Sequence, residues 1–311
     1  MENKISIVVP VFRSREILPD LHQRIVKAVS PFDPNFELIL VEDDGGDGSW
    51  KTIVELSQQD HRVRGIRLGR NYSQHNALLC GIRAAKGEII VTLDDDLQNP
   101  PEEIGKLVSH LEKGFDVVYG TPERQQHGLL RNLASRVTKL ALQEAMGAGT
   151  ASKVSAFRAF RTVLRDAFVD YRSPSVNVDV LLTWGTTRFD AITVHHDPRV
   201  SGESGYTLRK LVTHAINMMT GFSTLPLQVA SILGLVFSLL GAVILVFVLV
   251  RFLLDGSEVP GFPFLASIIA LFSGVQLFAL GVIGEYLARM HFRSMDRPSY
   301  TERASTEQRQ Q

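Results

Sequence analysis

Three consecutive carboxylates, Asp94, Asp95 and Asp96, close an apolar run and stand just before Gln98 and the pair Pro100-Pro101. Packing such a cluster without partners is costly, so a cation is expected to meet it. Oxygen donors with no His or Cys in the motif favour Mg²⁺ or Mn²⁺, which keep few protein ligands and bridge to substrate phosphates. An acidic turn that only caps the next helix is the alternative reading. A second cluster, Glu42-Asp43-Asp44-Gly45-Gly46-Asp47, follows another apolar run. Its glycines allow a ligand to approach the backbone closely. Asp43 there could accept a hydrogen bond from a nucleobase or ribose, or simply shape a turn. Cys80, the sole cysteine, sits in an apolar setting and reads as a small core residue.

These clusters need elements to hold them. Ile5–Val11, Phe36–Val41, Val63–Leu68, Glu88–Leu93 and Phe115–Gly120 read as strands. Helical periodicity falls between them, at Ser14–Val29, Ser49–Gln59, Ser73–Ala85 and Pro100–Lys113. Alternation of this kind predicts an α/β domain with a mostly parallel sheet covered on both faces. Ligands of such sheets sit beyond the carboxyl ends of the strands, where both acidic clusters fall.

The chain has 311 residues, 33 basic and 33 acidic, with 45% apolar and 21% charged. That composition excludes disorder, and the neutral balance argues against a nucleic-acid partner. The charge is unevenly distributed. Residues 211–250 form 40 consecutive positions without Lys, Arg, Asp or Glu, and residues 259–284 form another 26. A hydrocarbon core of ~30 Å needs ~20 apolar residues, so each stretch holds one span. Ile5–Phe12 is too short for the apolar region of an export signal and reads as a strand. Arg209 and Lys210 before the first span, with Arg289, Arg293 and Arg297 after the second, place both termini in the cytoplasm. The expected organisation is a catalytic domain at 1–207 and an amphipathic interfacial helix at 208–224. Spans at 225–254 and 262–288 follow, joined by an external loop at 255–261, and a polar tail occupies 289–311. The tail reads as mobile or engaged in subunit contacts.

Ser6–Phe12 (SIVVPVF), Val41–Ser49 (VEDDGGDGS), Arg70–Leu79 (RNYSQHNALL) and Thr92–Ile104 (TLDDDLQNPPEEI) resemble glycosyltransferase family 2 in order and spacing. Arg199–Lys210 (RVSGESGYTLRK), the two spans and Gly284–Arg289 (GEYLAR) narrow the resemblance to its bacterial polyprenyl-phosphate branch. The resemblance implies a GT-A (Rossmann-like) fold and a nucleotide sugar, usually a uridine diphosphate sugar, as donor. It implies polyprenyl phosphate as acceptor at the inner or plasma membrane, and a homotetramer. On its motifs Pro10, Phe12 and Asp43 would line the base pocket, with Asp94, Asp95 and Gln98 completing donor binding. Asp94, Asp96 and Gln98 would hold Mg²⁺ or Mn²⁺. Arg124 and Arg131 would act at the diphosphate and lipid phosphate. Ser135, Arg158, Arg199, Ser204 and Tyr206 would complete the acceptor side.

The chain departs from the family pattern at several positions. Tyr-Asn-Glu after the first strand is Phe12-Arg13-Ser14, which removes a carboxylate near the base. The middle of Asp-Ala-Asp is Asp95, which adds one. Ser152 replaces an aspartate, and Gly205 replaces a lysine. Glu42, Asp44 and Lys153 are candidates to compensate. A lipid-phosphate acceptor is already ionised at neutral pH, so no strong general base is needed. In-line attack on the anomeric carbon would then invert its configuration. A processive polysaccharide synthase would carry Gln-x-x-Arg-Trp, which neither Trp50 nor Trp184 supplies. A non-catalytic scaffold that binds nucleotide sugar is the remaining alternative.

Overall fold

The apolar runs become β1 (Ile5–Val11), β2 (Glu37–Glu42), β3 (Val63–Leu68), β4 (Ile89–Thr92) and β5 (Val117–Pro122). Every residue of β1, β2 and β4 is buried, as strands covered on both faces require. Between them lie α1 (Leu18–Val29), α2 (Ser49–Gln59) and α3 (Gln74–Ala84), then a 3₁₀ turn at Pro101–Glu103 leading into α4 (Ile104–Leu111). The computed structural model describes residues 4–122, 154–197, 224–255 and 262–307. The first helix begins at Leu18 rather than Ser14. The Ser14 carbonyl accepts from Ile17 and Leu18 in a tight turn, and Pro19 opens the helix.

Three further strands, β6 (Arg158–Arg161), β7 (Phe189–Val194) and β8 (Glu302–Ser305), complete an eight-stranded sheet ordered β7-β5-β6-β4-β1-β2-β3-β8. β6 runs antiparallel between β4 and β5, and β8 runs antiparallel along β3; the other pairings are parallel. One apolar layer forms under α1, α2 and α4 through Leu21, Ile25 and Leu107. The other forms under α3 and α5 (Val178–Leu182) through Leu78, Ile82 and Leu181. α3 lies so close to the sheet that a Cβ on Gly81 would stand 2.3 Å from Val8 Cγ1.

The apolar stretches form α6 (Leu225–Asp255) and α7 (Phe262–Ser294), both long and apolar enough to cross a bilayer. α6 covers the stretch 225–254 read as the first span and ends one residue later. α7 runs past residue 288 to Ser294, its last turns carrying an Arg289–Glu285 ion pair at 2.8 Å. Large apolar side chains such as Leu239, Val243 and Leu277 are exposed along both. The helices meet where Phe272 packs edge-on against Phe237, at 6.1 Å between ring centroids, over Gly241. The expected amphipathic helix, up to residue 223, and residues 256–261 of the connecting loop lie outside the described residues. The tail is not the free extension its polarity suggests: Glu302–Ser305 is the edge strand β8.

Candidate active site

The loops after β1, β2 and β4 meet at one end of the sheet, and side-chain hydrogen bonds tie them together. After β1, Phe12 is exposed and Arg13 has φ 59°. The Asp43 backbone N–H donates to the Val11 carbonyl at 2.9 Å, joining the ends of β1 and β2. A Cβ on Gly45 would lie 2.8 Å from the Arg13 nitrogen, so this crossing needs glycine.

Asp43 is buried, and its two carboxylate oxygens are held separately. The Tyr72 N–H donates to Oδ1 at 2.7 Å and the Ser73 N–H to Oδ2 at 2.9 Å. Burial nevertheless pushes this carboxyl up to about 6, opposed by those two bonds and helped by Glu42 and Asp44. Ser73 adopts φ 82°, a conformation that costs an L-residue ~1–3 kcal/mol. Glu42 and Asp44 flank Asp43 but turn to Arg67, at 3.0 and 3.2 Å.

The three aspartates after β4 diverge. Asp94 accepts from the Gln74 side-chain amide. Asp95 turns towards β1, accepting from the Phe12 N–H at 3.0 Å and from the Ser14 hydroxyl. Asp96 accepts from the Gln98 N–H at 3.1 Å. The Asp94 carboxyl is pushed up to about 7, by burial first and then by Asp96 and Asp95; Arg158 and Gln74 pull the other way. Among the described residues no three His, Cys, Asp or Glu side chains form a ready metal cage. Excess negative charge on oxygen donors, without a complete cage, suits a hard divalent cation whose remaining ligands come from substrate phosphates and water.

The added carboxylate Asp95 and the missing one at Ser14 are therefore partners. The carboxylate group now enters this corner from the β4 loop instead of the β1 loop. Glu42 and Asp44 do not fill that role, since Arg67 engages both, and Lys153 lies outside the described residues.

Arg158 was expected on the acceptor side, but the structure buries it beneath the site, 1% exposed. It stands opposite Thr92 of β4 and Tyr119 of β5. Its guanidinium pairs with Asp179 of α5 and donates to Thr92 Oγ1 at 3.0 Å. Tyr119 also donates to Asp179, at 3.0 Å. The arginine thus places a fixed positive charge behind Asp94 and is not open to an acceptor.

Pro10 lies within buried β1, and the described part of the Gln98 turn is fixed by an Asp197 N–H donating to the Gln98 carbonyl at 2.9 Å. That bond brings the segment leading to Arg199, Ser204 and Tyr206 to the aspartate loop. Those three residues, with Arg124, Arg131, Ser135, Ser152 and Gly205, lie outside the described residues. Sequence reasoning missed the roles of Ser14, Tyr72, Ser73, Gln74 and Asp179. Tyr72, Ser73 and Gln74 were legible only as parts of the RNYSQHNALL motif; the contacts of Ser14 and Asp179 carry no local signal.

Residues 6–171 match Glycosyl transferase family 2. Among characterised relatives, the undecaprenyl-phosphate 4-deoxy-4-formamido-L-arabinose transferase of Proteus mirabilis is 35% identical over 96% of this chain and 92% of its own. That of Salmonella choleraesuis is 33% identical over the same shares. Among solved structures, glucosyl-3-phosphoglycerate synthase from Mycobacterium tuberculosis, crystallised with Mn²⁺ and UDP, superposes with TM-score 0.52 at 17% identity, covering 70% of this chain and 78% of that one. At that identity the likeness concerns the GT-A fold. With aspartate-bearing loops gathered at one end of such a sheet, and family and relatives agreeing along its length, this chain belongs to glycosyltransferase family 2 and is a glycosyltransferase.

Proposed function

We propose that the protein transfers one sugar from a nucleoside diphosphate donor, most simply a uridine diphosphate sugar, to a polyprenyl phosphate at the membrane surface. The carrying observation is the gathering of Asp43, Asp94 and Asp96 beside a sheet whose edge strand β8 returns from two membrane-length helices. The curated relatives are transferases to undecaprenyl phosphate, and the likeness extends over both helices. β7 precedes the helical pair and β8 follows it in one sheet. The pair therefore leaves from and returns to the same side, which supports a two-span anchor with the catalytic domain and tail both cytoplasmic. A domain at 1–207 with an interfacial helix at 208–224 remains the organisation we favour, amended by the return of the tail to the sheet.

In this reading Asp43 accepts from the imide N–H of the base, and Phe12 offers its exposed ring beside it. Asp94, Asp96 and Gln98 would hold Mg²⁺ or Mn²⁺, which supplies charge stabilisation to the departing diphosphate. Gln74 keeps the Asp94 carboxylate aimed, and Ser14 with the Phe12 N–H keeps Asp95 turned away from it. Arg124, Arg131, Ser135, Arg199, Ser204 and Tyr206 are proposed to receive the diphosphate and the lipid phosphate, drawing two anions together. An ionised phosphate oxygen attacks the anomeric carbon as the glycosyl–diphosphate bond breaks. The bond pair leaves with the nucleotide, and no proton need be removed.

Full-length protein in detergent, given short-chain polyprenyl phosphate, Mn²⁺ and a panel of uridine diphosphate sugars that includes 4-deoxy-4-formamido-arabinose, tests this. The expected product is a glycosyl phospholipid seen by mass spectrometry, absent with Asp96→Ala. Nucleotide release without lipid product would reject the acceptor, and UDP binding without turnover on any donor would favour a scaffold.

A further inference from the structure

The chain leaving α7 does more than cover the edge of β3. Ser299 is buried, accepting from the Ser173 N–H at 3.4 Å and donating to the Tyr171 carbonyl at 3.3 Å. Tyr300 lies beneath the Arg83 guanidinium at 5.7 Å. On the other side of Thr301, β8 pairs Glu302 with Leu68 and Ala304 with Arg67. Thr306 then exchanges bonds with Gly65 through its N–H and its hydroxyl. Thr301 is thus pinned from both directions.

From that fixed point Thr301 grips the loop that follows β3. Its carbonyl accepts from the Gly69 N–H at 2.8 Å, and its hydroxyl meets the Tyr72 hydroxyl at 2.8 Å. The approach is close enough that a Cβ on Gly69 would stand 2.9 Å from Thr301 Oγ1. Directly beyond, the Tyr72 and Ser73 N–H groups hold Asp43, and Gln74 holds Asp94. Within this doubly held loop Ser73 keeps φ 82°.

We propose that the segment returning from the membrane helices is a positioning strap for the donor site. Thr301, through Gly69 and Tyr72, sets the backbone that aims Asp43 and Asp94. Thr301 and Tyr72 are positioning residues, since they act through the backbone that holds Asp43. The consequence for donor affinity rests on Asp43 holding the base; the clamp on the loop does not.

Hydrogen exchange read by mass spectrometry on the full-length protein tests the clamp without any donor. Losing one hydrogen bond shifts a local opening equilibrium by ~2–10-fold. Thr301→Val and Tyr72→Phe should each speed exchange of the Tyr72 and Ser73 amides by that factor. The double variant should be no faster than Tyr72→Phe alone, because that variant already lacks the Thr301 bond together with the hydroxyl's contact to Arg70. Thr301→Ser should restore slow exchange, and amides of α1 should not change. Calorimetry with UDP and Mn²⁺ should show UDP affinity falling by a similar factor in the first two variants and recovering in Thr301→Ser. Unchanged exchange in Thr301→Val and Tyr72→Phe, or additive effects in the double variant, overturns the strap. Faster exchange with unaltered UDP affinity leaves the clamp in place and overturns its link to the donor, which is the part that depends on the proposed function.

Discussion

Asp43→Asn separates what this residue does for the fold from what it does for the donor. The aspartate offers one oxygen to the Tyr72 N–H at 2.7 Å and the other to the Ser73 N–H at 2.9 Å. An asparagine keeps a single acceptor and turns an N–H₂ towards the second donor, so one backbone bond is lost. Against that loss, burial of a charge disappears, the same burial that lifts the Asp43 carboxyl to about 6. The two effects oppose each other, and thermal stability at pH 7.5 should change little. Donor binding has no such offset. A hydrogen bond to a charged acceptor is worth ~1.5–3 kcal/mol, so UDP affinity should fall by roughly 10- to 150-fold. The pH dependence carries a matching signature. The folded-state value lies above the ordinary 3.8, so the proton is held more tightly in the fold. Its contribution to stability is complete below pH 3.8 and is lost as pH rises through about 6, so this group favours the unliganded fold at acid pH. Base recognition needs the opposite state, the ionised acceptor. Titration calorimetry with UDP and Mn²⁺ between pH 5 and 8 should show wild-type affinity falling below pH 6 and Asp43→Asn affinity insensitive to Asp43's titration. Equal affinities at pH 7.5, or a variant as pH-sensitive as the wild type near pH 6, would refute the assignment.

Other perturbations probe the floor and the mouth of the site. Asp179→Ala strands the buried Arg158 guanidinium and should cost ~3–5 kcal/mol, a fall in Tm of about 10 °C by differential scanning fluorimetry, whereas Arg158→Met with Asp179→Leu should recover most of it. Gly81→Ala places a methyl 2.3 Å from Val8 Cγ1 and should destabilise by ~1–3 kcal/mol in urea unfolding, with donor KM unchanged in the protein that remains folded. Chelation should abolish glycosyl transfer, and added Mn²⁺ or Mg²⁺ should restore it in wild type but not in Asp96→Ala, read as lipid-linked product. Ser14→Ala should free Asp95 from one of its two partners and raise the donor KM severalfold, with Ser14→Thr retaining the bond.

Legibility in the sequence followed periodicity. β1 to β5 and the helices between them are long apolar or amphipathic runs, and α6 carries no charge from Leu225 to Val250, a stretch no soluble surface would tolerate. β6 and β8, by contrast, are four residues each, Arg158-Ala-Phe-Arg161 and Glu302-Arg-Ala-Ser305, and too polar to announce a strand. β6 is affordable in the sheet interior only because Asp179, 21 residues later in the chain, balances its arginine. The same limit applied to the site. The acidic motifs located Asp43, Asp94 and Asp96, but the partners that orient them are separated in sequence: Tyr72 by 29 residues from Asp43, Gln74 by 20 from Asp94, and Ser14 by 81 from Asp95. Arg158 was expected on the acceptor side, and its burial against Asp179 was not legible for the same reason: the strands on either side of a lone arginine decide where it lies.

The anchor and the site are close along the chain, and this bears on how a lipid headgroup could reach the aspartates. α7 contains 33 residues, ~50 Å of helix at 1.5 Å each, against a hydrocarbon core of ~30 Å. As a proposed span it would leave about 20 Å of helix clear of the core, and the turns that carry His291 and Arg293 at its end would suit that emergence. From Ser294 to Thr301 is seven steps of chain, at most ~25 Å even when fully extended. Ser299 is already seated on Tyr171 within that distance, and Arg172 pairs with Asp296 at 3.0 Å. With the two helices as the proposed anchor, a tether this short, attached beside Tyr72, would leave the catalytic domain little freedom to rotate its donor loop away from the bilayer. A diffusing sugar hydroxyl would gain nothing from such confinement. A phosphate fixed at the membrane surface by its own polyprenyl chain would meet the open ends of β1, β2 and β4 at a nearly constant height. In that proposed arrangement the short return segment would favour a lipid acceptor over a soluble one.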